Sequence, residues 1–170
     1  MKALAILLLA SLAACKPTLY MIRHGEKPDD GSIGLSPEGE QRAQCLRTIF
    51  GSSSQYNIGY VIAQEYKESG KRKRPYDTVA PVASDLGLEV DTSCDRDDSK
   101  CVKNLIKNYA GDGNILLCWQ HGQMNNILEA LGAEDIENYP EDRYDVIWTV
   151  PSPYDEITAE NSENCPGLDS

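Results

Sequence analysis

The chain has 170 residues, with 16 Lys and Arg against 27 Asp and Glu, which gives a formal net charge of −11 at pH 7. This length supplies one domain with a single core, and 41% hydrophobic with 25% charged residues excludes a wholly disordered chain. The acidic balance excludes nucleic acid and stable membrane association as expected partners, so any bound anion needs a local basic pocket.

The N-terminal segment has the pattern of a secretory signal. After a charged start, residues 3–14 form an apolar run that is too short to span a membrane and that ends in small residues. We therefore predict a signal peptide over 1–16, one domain over 17–170 and a secreted protein. A buried N-terminal strand or helix is the alternative. The Leu-Ala-Ala-Cys sequence ending at Cys15 is also typical of a bacterial lipoprotein signal, which would anchor the protein through this cysteine.

The cysteines support export, because secreted proteins use them as disulfides. Cys94 and Cys101 flank a polar loop that a disulfide between them could close. Cys118 lies in an apolar run and is predicted to be a buried thiol. No other pairing can be inferred from the sequence, and the cysteine spacing matches no zinc site.

Apolar runs alternate with helical patterns along the chain. The predicted strands are 18–22, 60–63, 88–90, 114–119 and 145–150. The predicted helices are 37–50, 75–86, 99–109 and 125–131. Ser36 and Pro37 suit the start of the first helix and Gly87 the end of the second, whereas the tail from Pro151 has no predicted element. This order predicts an α/β fold of three α/β/α layers, with a mostly parallel sheet of about five strands.

The chain has two histidines, His24 and His121, and each follows a predicted buried strand and precedes a glycine. Because the carboxyl ends of parallel strands meet at one edge of a sheet, we expect both imidazoles at a shared site. Histidine suits a nucleophile or a proton carrier near neutral pH. The glycine that follows each histidine lets the backbone approach a bound group closely.

Basic residues accompany the histidines. Arg23 precedes His24, and Arg74 begins the second helix with Thr78 one turn further on. Arginine binds phosphate or carboxylate through paired hydrogen bonds, and a helix start after His121 would also favour an anion. Arg72 is the alternative to Arg74 as the second anion-binding arginine. These arginines oppose a metal cation between the histidines, so we predict a site for a doubly charged anion.

Four motifs, in this order along the chain, resemble those of the histidine phosphatase (phosphoglycerate mutase-like) superfamily. They are LYMIRHGEK (19–27), LSPEGEQRA (35–43), RPYDTVAP (74–81) and LLCWQHGQM (116–124). The small size resembles the minimal phosphohistidine phosphatases, and the wording of the motifs resembles small secreted fungal members. The resemblance implies a minimal phosphoglycerate mutase-like core.

The resemblance also implies roles for the residues that match the motifs. His24 would attack phosphorus and become phosphohistidine. Arg23 and Arg74 would bind the phosphoryl oxygens, and His121 with Gly122 would bind the phosphoryl group and stabilise its charge. No metal or other cofactor is implied, because these groups supply the neutralisation that magnesium gives elsewhere. We expect a backbone carbonyl to fix the tautomer of His24.

The general acid is implied to follow the third strand, where the chain offers Asp91, Asp95, Asp97 and Asp98. Of these we favour Asp95 or Asp97. Glu26 is interpreted as a residue that positions the loop rather than as the proton donor.

The main functional hypothesis is a secreted, metal-independent phosphomonoesterase that works through a phosphohistidine intermediate. Its expected partner is a small phosphorylated substrate or phosphate. One alternative is a phosphoglycerate-type mutase that returns the phosphoryl group to a bisphosphorylated substrate. Another is a catalytically inactive phosphate-binding or effector module with the same fold. The sequence does not indicate which substrate is used or how many chains associate.

Overall fold

The computed structural model describes residues 16–169, and this part of the chain forms six strands and four helices. The strands are β1 (Leu19–Arg23), β2 (Ile58–Ala63), β3 (Val90–Asp91), β4 (Asn114–Trp119), β5 (Val146–Val150) and β6 (Ala159–Ser162). The helices are α1 (Pro37–Ile49), α2 (Arg74–Leu86), α3 (Ser99–Asn108) and α4 (His121–Leu131). No helix within 16–169 is long and apolar enough to cross a membrane. The predicted signal sequence up to Cys15, and the alternative lipid anchor, lie outside the described residues.

All six strands belong to one sheet, in the order β3-β2-β4-β1-β5-β6. Neighbours from β3 to β1 are parallel, and β5 is antiparallel to both β1 and β6. Five of the six strands therefore run in the same direction, which confirms the predicted mostly parallel α/β sheet. The additional strand, β6, was not predicted because its sequence AENS lacks an apolar run and it pairs at the sheet edge through its backbone.

The helices cover both faces of the sheet. On one face, the core contains Leu46 of α1, Phe50 directly after that helix, and Val79 and Val82 of α2. The core on the other face is built by α3 and α4, with Val102, Ile106, Met124, Ile127 and Leu128. The three predicted layers are thus confirmed, and the carboxyl ends of β1, β2 and β4 open at one edge between them.

Local sequence signals explain where the helices begin and end. The hydroxyl of Ser36 accepts a hydrogen bond from the N–H of Gly39 at 3.2 Å, which caps α1. Gly87 ends α2 with a φ of 68°, a left-handed conformation that glycine adopts without strain. Helix α4 begins at His121, four residues before the predicted start at 125, so His121 lies in its first turn.

Two disulfides connect segments within the described part of the chain. Cys94–Cys101 is the predicted bond, and Cys45–Cys165 joins α1 to the chain after β6. Cys118 is the free cysteine of the described part and is buried, as predicted.

We expect the two disulfides to contribute unequally to stability. Their sequence separations are 120 and 7 residues, and closing a longer loop removes more entropy from the unfolded chain. Replacing Cys45 and Cys165 by alanine should lower the free energy of unfolding by about 4–5 kcal/mol, against about 2–3 kcal/mol for Cys94 and Cys101. Urea unfolding of both double variants measures this difference, and equal losses would contradict the prediction.

Candidate active site

The two histidines lie at the same edge of the sheet. Strands β1 and β4 are neighbours, with Arg23 opposite Trp119 at their carboxyl ends. The N–H of His24 donates to the carbonyl of Trp119 at 3.2 Å, and two residues after Trp119 the chain reaches His121. The paired strand ends thus bring His24 and His121 to one edge of the sheet, and the charge of His121 contributes to lowering the pKa of His24.

The orientation of the His24 ring is set by its own loop. Its Nδ1 lies 2.7 Å from the carbonyl oxygen of Gly25, which can only accept, so Nδ1 carries the proton. This is the expected backbone contact, and it leaves Nε2 with a free electron pair. His24 is 7% exposed. Burial lowers its pKa to about 4, helped by the charges of Arg23 and Arg74 and opposed by the Gly25 carbonyl.

We expect the imidazole of His24 to titrate near pH 4 rather than near its ordinary value of 6.5. The lowered pKa keeps the ring neutral at higher pH, and the neutral form disappears as the pH falls through about 4. NMR of the ring protons can follow this change, because the chain has only two histidines and a His121→Gln variant assigns the signals. A titration midpoint at 6.5 would contradict the burial argument.

Arg23 is held by the chain that precedes β5. Its Nη1 donates to the carbonyl oxygens of Glu141 at 2.7 Å and Arg143 at 2.8 Å. Its guanidinium carbon lies 3.8 Å from the centre of the Tyr144 ring, a cation–π contact. The side chain is 3% exposed, and its buried Nε has no hydrogen-bond partner within 16–169. Arg23 is therefore fixed on one side and keeps one N–H donor without a partner among the described residues.

Arg74 begins α2 and holds the loop before α1. Its Nε donates to the carbonyl of Gly34 at 2.7 Å, and its Nη2 donates to the carbonyl of Ser32 at 2.9 Å. The Thr78 hydroxyl donates to the Arg74 carbonyl at 2.8 Å and accepts from the N–H of Gly25 at 2.9 Å. The same helix turn therefore carries Arg74 and supports the His24 loop.

Arg72, the competitor for Arg74, is directed elsewhere. Its Nη1 lies 2.7 Å from a carboxylate oxygen of Asp95, and its Nη2 lies 3.5 Å from Asp97. Arg74, by contrast, lowers the pKa of His24 through its charge.

The structure places Asp95 and Asp97 in ion pairs rather than beside the histidines. Besides the Arg72 contacts, Asp97 binds Arg96 at 2.8 Å. The backbone N–H of Asp97 lowers the pKa of Asp95, and the Arg96 hydrogen bond lowers the pKa of Asp97. No hydrogen bond of the described chain joins either carboxylate to His24 or His121. Carboxylates with lowered pKa values are poor proton donors near neutral pH. The role of Asp95 or Asp97 as the general acid stays a prediction.

The remaining two acids of this region have structural contacts. Asp98 caps α3 by accepting a hydrogen bond from the N–H of Cys101 at 2.9 Å. Asp91 accepts from the hydroxyl groups of Tyr60 and Ser93.

Two residues near the site were not predicted from the sequence. The Tyr144 ring centre lies 6.3 Å from that of His24 and covers Arg23. The charge of Glu141 raises the pKa of both Arg23 and His121, although burial lowers both overall. Neither residue follows a strand or begins a helix, so no local signal marks them.

A cavity of about 520 Å³ borders this region. It is lined by residues 26–30, the start of α1 and the Tyr144 ring. A second cavity, of about 180 Å³, lies between residues 31–34 and 70–74 and reaches Arg74. The first cavity thus borders the loop that follows His24, and the second borders Arg74.

One group of side chains within 16–169 has the spacing of a metal site, formed by Glu163, Cys165 and Asp169. It does not fit a metal, because Cys165 is disulfide-bonded and both carboxylates bind the guanidinium of Arg42. Gly122, the other predicted phosphate ligand, follows His121 in the first turn of α4. Its backbone N–H lies at the positive end of that helix, where anions bind favourably.

Comparison with known proteins identifies the fold. No family model and no curated protein matches the sequence. A protein from Agrobacterium tumefaciens assigned as the phosphohistidine phosphatase SixA is 14% identical with a TM-score of 0.61, over 86% of this chain and 98% of that one. The phosphoserine phosphatase of Entamoeba histolytica, in complex with 3-phosphoglyceric acid, is 14% identical with a TM-score of 0.59, over 86% and 97%. The protein histidine phosphatase SixA complexed with tungstate is 15% identical with a TM-score of 0.58, over 86% and 97%. The chain therefore has the histidine phosphatase fold, as its motifs predicted.

Proposed function

We propose that the protein is a phosphomonoesterase that acts without a metal, through a phosphohistidine at His24. One observation carries this proposal. A buried imidazole has its Nδ1 on the Gly25 carbonyl and its Nε2 free, beside two arginines and a second histidine. A neutral imidazole in a cationic site is suited to attack a phosphoryl group, whose charge the surrounding cations offset.

The proposed reaction has two steps. Arg23, Arg74, His121 and the backbone at Gly122 bind the phosphoryl oxygens. The Nε2 of His24 attacks phosphorus, the bond from phosphorus to the ester oxygen breaks, and a general acid protonates the leaving oxygen. Water then attacks phosphorus and gives a proton to the conjugate base of the general acid, the P–N bond breaks, and phosphate leaves with His24 and the acid restored.

The proposed reaction also needs a general acid and a phosphorylated substrate. Asp95 and Asp97 are the residues predicted from the sequence, and Glu141 is the carboxylate whose charge acts on both Arg23 and His121. The solved neighbours include proteins described as phosphatases for phosphohistidine and phosphoserine, and one holds 3-phosphoglyceric acid. These descriptions support a small phosphorylated substrate.

We also propose that the protein is secreted. The charged and then apolar start of the sequence has the pattern of a signal peptide. The two disulfides fit an oxidising, extracellular setting.

Turnover of p-nitrophenyl phosphate in the presence of EDTA tests the proposed function. We expect steady hydrolysis without added metal. A quench at alkaline pH, which preserves a phosphorus–nitrogen bond, should leave phosphate on the peptide that contains His24. The chain supplies its own control, because His121 lies on a separate peptide that should remain unlabelled.

Three other outcomes would contradict the proposal. Hydrolysis that requires an added divalent metal would indicate a different reaction. Phosphoryl exchange that occurs only with a bisphosphate primer would indicate a mutase. Phosphate binding without turnover between pH 4 and 9 would indicate an inactive binding module.

A further inference from the structure

A buried charge cluster lies behind the His24 loop, around Arg42 of α1. Arg42 is 1% exposed. Its Nη2 lies 2.6 Å from Glu26 and 2.8 Å from Asp169, and its Nη1 lies 2.6 Å from Glu163. Glu26 follows His24 by two residues, whereas the other two acids belong to residues 163–169, called here the C-terminal segment. One guanidinium thus joins the loop of the candidate nucleophile to the end of the described chain.

The C-terminal segment is itself firmly attached to α1. Cys165 forms the disulfide with Cys45, which lies three residues after Arg42 on the helix. The carbonyl of Pro166 accepts a hydrogen bond from the Gln41 side chain at 3.0 Å. The N–H of Cys165 donates to Asp169 at 2.6 Å, which holds that carboxylate towards Arg42. These contacts fix the position of the acids and therefore of the guanidinium between them.

On the other side, the His24 loop packs directly on the start of α1. A Cβ atom on Gly39 would lie 2.5 Å from the carbonyl oxygen of Glu26 and 2.9 Å from its nitrogen, so only glycine permits this approach. The same carbonyl accepts a hydrogen bond from the N–H of Ser36 at 2.9 Å. Arg42 holds the Glu26 side chain through its Nε and Nη2, at 3.1 and 2.6 Å. The backbone that carries His24 therefore rests on α1 and is secured there by Arg42.

The charges of this cluster make Arg42 difficult to replace. Three acidic side chains surround one guanidinium, and burial raises the pKa of Glu163 whereas the charge of Arg42 opposes that rise. The Oε1 atom of Glu163 has no hydrogen-bond partner within the described residues. Without the guanidinium the acids would face one another in the interior, which favours outward movement of Glu26 or of the C-terminal segment.

We propose that Arg42 is a positioning residue for His24, and that the C-terminal segment fixes Arg42 against Glu26. This inference rests on the proposed function. Neither Arg42 nor the segment contacts the phosphoryl site, so their effect passes through the placement of Nε2. A displacement of about 1 Å in a reacting atom lowers a rate by about 10²-fold, whereas phosphate binding by other residues is little changed.

Arg42→Met tests this role, with Arg47→Met as the matched control. Arg47 is on the same helix and binds Asp85, but it is half-exposed and remote from the His24 loop. We expect Arg42→Met to lower kcat for p-nitrophenyl phosphate by about 10- to 100-fold, with KM and the Kd of inorganic phosphate changed less than about threefold. The pKa of His24 should rise towards 6.5 as its loop becomes more solvated. Arg47→Met should change none of these values. A folded Arg42→Met variant with unchanged kcat and unchanged His24 titration would overturn the proposal.

A double-mutant cycle covers the case in which Arg42→Met does not fold. Glu26→Gln and Asp169→Asn retain the shape of each side chain and should each lower kcat, by about tenfold and about threefold. Because both act through Arg42, the double variant should be no slower than the slower single variant. Losses that multiply, or no loss in either single variant, would show that the two acids do not act through one guanidinium.

The same measurements separate this inference from the proposed function. If the wild-type protein does not hydrolyse p-nitrophenyl phosphate, the proposed function fails. The titration of His24 still reports whether Arg42 holds its loop. If the wild-type protein is active and the Arg42 and Glu26 variants match it, only the positioning role fails.

Discussion

Replacing His24 by alanine is expected to lower kcat for p-nitrophenyl phosphate by about 10⁴-fold or more, whereas replacing His121 by glutamine should cost about 10²- to 10³-fold. In the proposed mechanism His24 forms a bond to phosphorus, and without its Nε2 the two-step path is lost. His121 stabilises charge on the phosphoryl group, and its loss removes one interaction from a site that keeps Arg23 and Arg74. The two histidines should therefore differ by at least tenfold in their effect.

Three measurements on both variants check this prediction. Steady-state kinetics gives kcat, calorimetry gives the Kd of inorganic phosphate, and the alkaline quench reports the phosphohistidine. We expect His24→Ala to bind phosphate within about threefold of the wild type and to carry no label. His121→Gln should still be labelled on the His24 peptide. Equal losses in the two variants, or label that persists after His24 is removed, would assign the nucleophile to another residue.

Most of the sheet and its helices could be predicted because their signals are local. Strand β4 was predicted with its observed bounds, since NILLCW is an apolar run between polar segments. Ser36 and Gly87 marked the ends of α1 and α2 through contacts within their own helices. Strand β6 gave no such signal, because it is polar and exists only through pairing with β5.

The same distinction applies to the candidate site. His24 and His121 follow buried strands, and Arg74 begins a helix, so the topology alone brings them to one edge of the sheet. Tyr144 and Glu141 approach from the chain before β5, and nothing in their sequence shows that β5 pairs with β1 in the antiparallel direction. Their place at the site depends on that pairing.

The region after the third strand illustrates a further limit. Asp95 and Asp97 are two of several acids there, and their sequence does not show that Arg72 and Arg96 bind them. The partners of Arg42 could not be predicted for the same reason. Glu26 lies in the His24 loop, and Glu163 and Asp169 lie more than 120 residues away along the chain. Ion pairs between distant segments follow from the fold and not from local patterns.

Arg23→Met is expected to lower kcat/KM about 10³-fold and to weaken phosphate binding by about 10²-fold. The guanidinium serves two purposes at once. Its Nη1 joins the carbonyls of Glu141 and Arg143, and its buried Nε has no hydrogen-bond partner within the described residues. In the proposed mechanism the same guanidinium binds the phosphoryl oxygens. Methionine fills much of the volume beneath Tyr144 but donates no hydrogen bond, so two partly buried carbonyls lose their partner together with the phosphoryl group.

Arg23→Lys separates charge from geometry. Lysine keeps the positive charge, but a single ammonium cannot reproduce the planar guanidinium that spans both carbonyls and the anion. We therefore expect little rescue, with kcat/KM still at least about 10²-fold below the wild type. Tyr144→Phe is the matched control, because it retains the ring over the guanidinium and should stay within about twofold of the wild type in kcat/KM. A lysine variant with nearly full activity would show that Arg23 contributes only its charge, and the fixed orientation set by the chain before β5 would then have no role in catalysis.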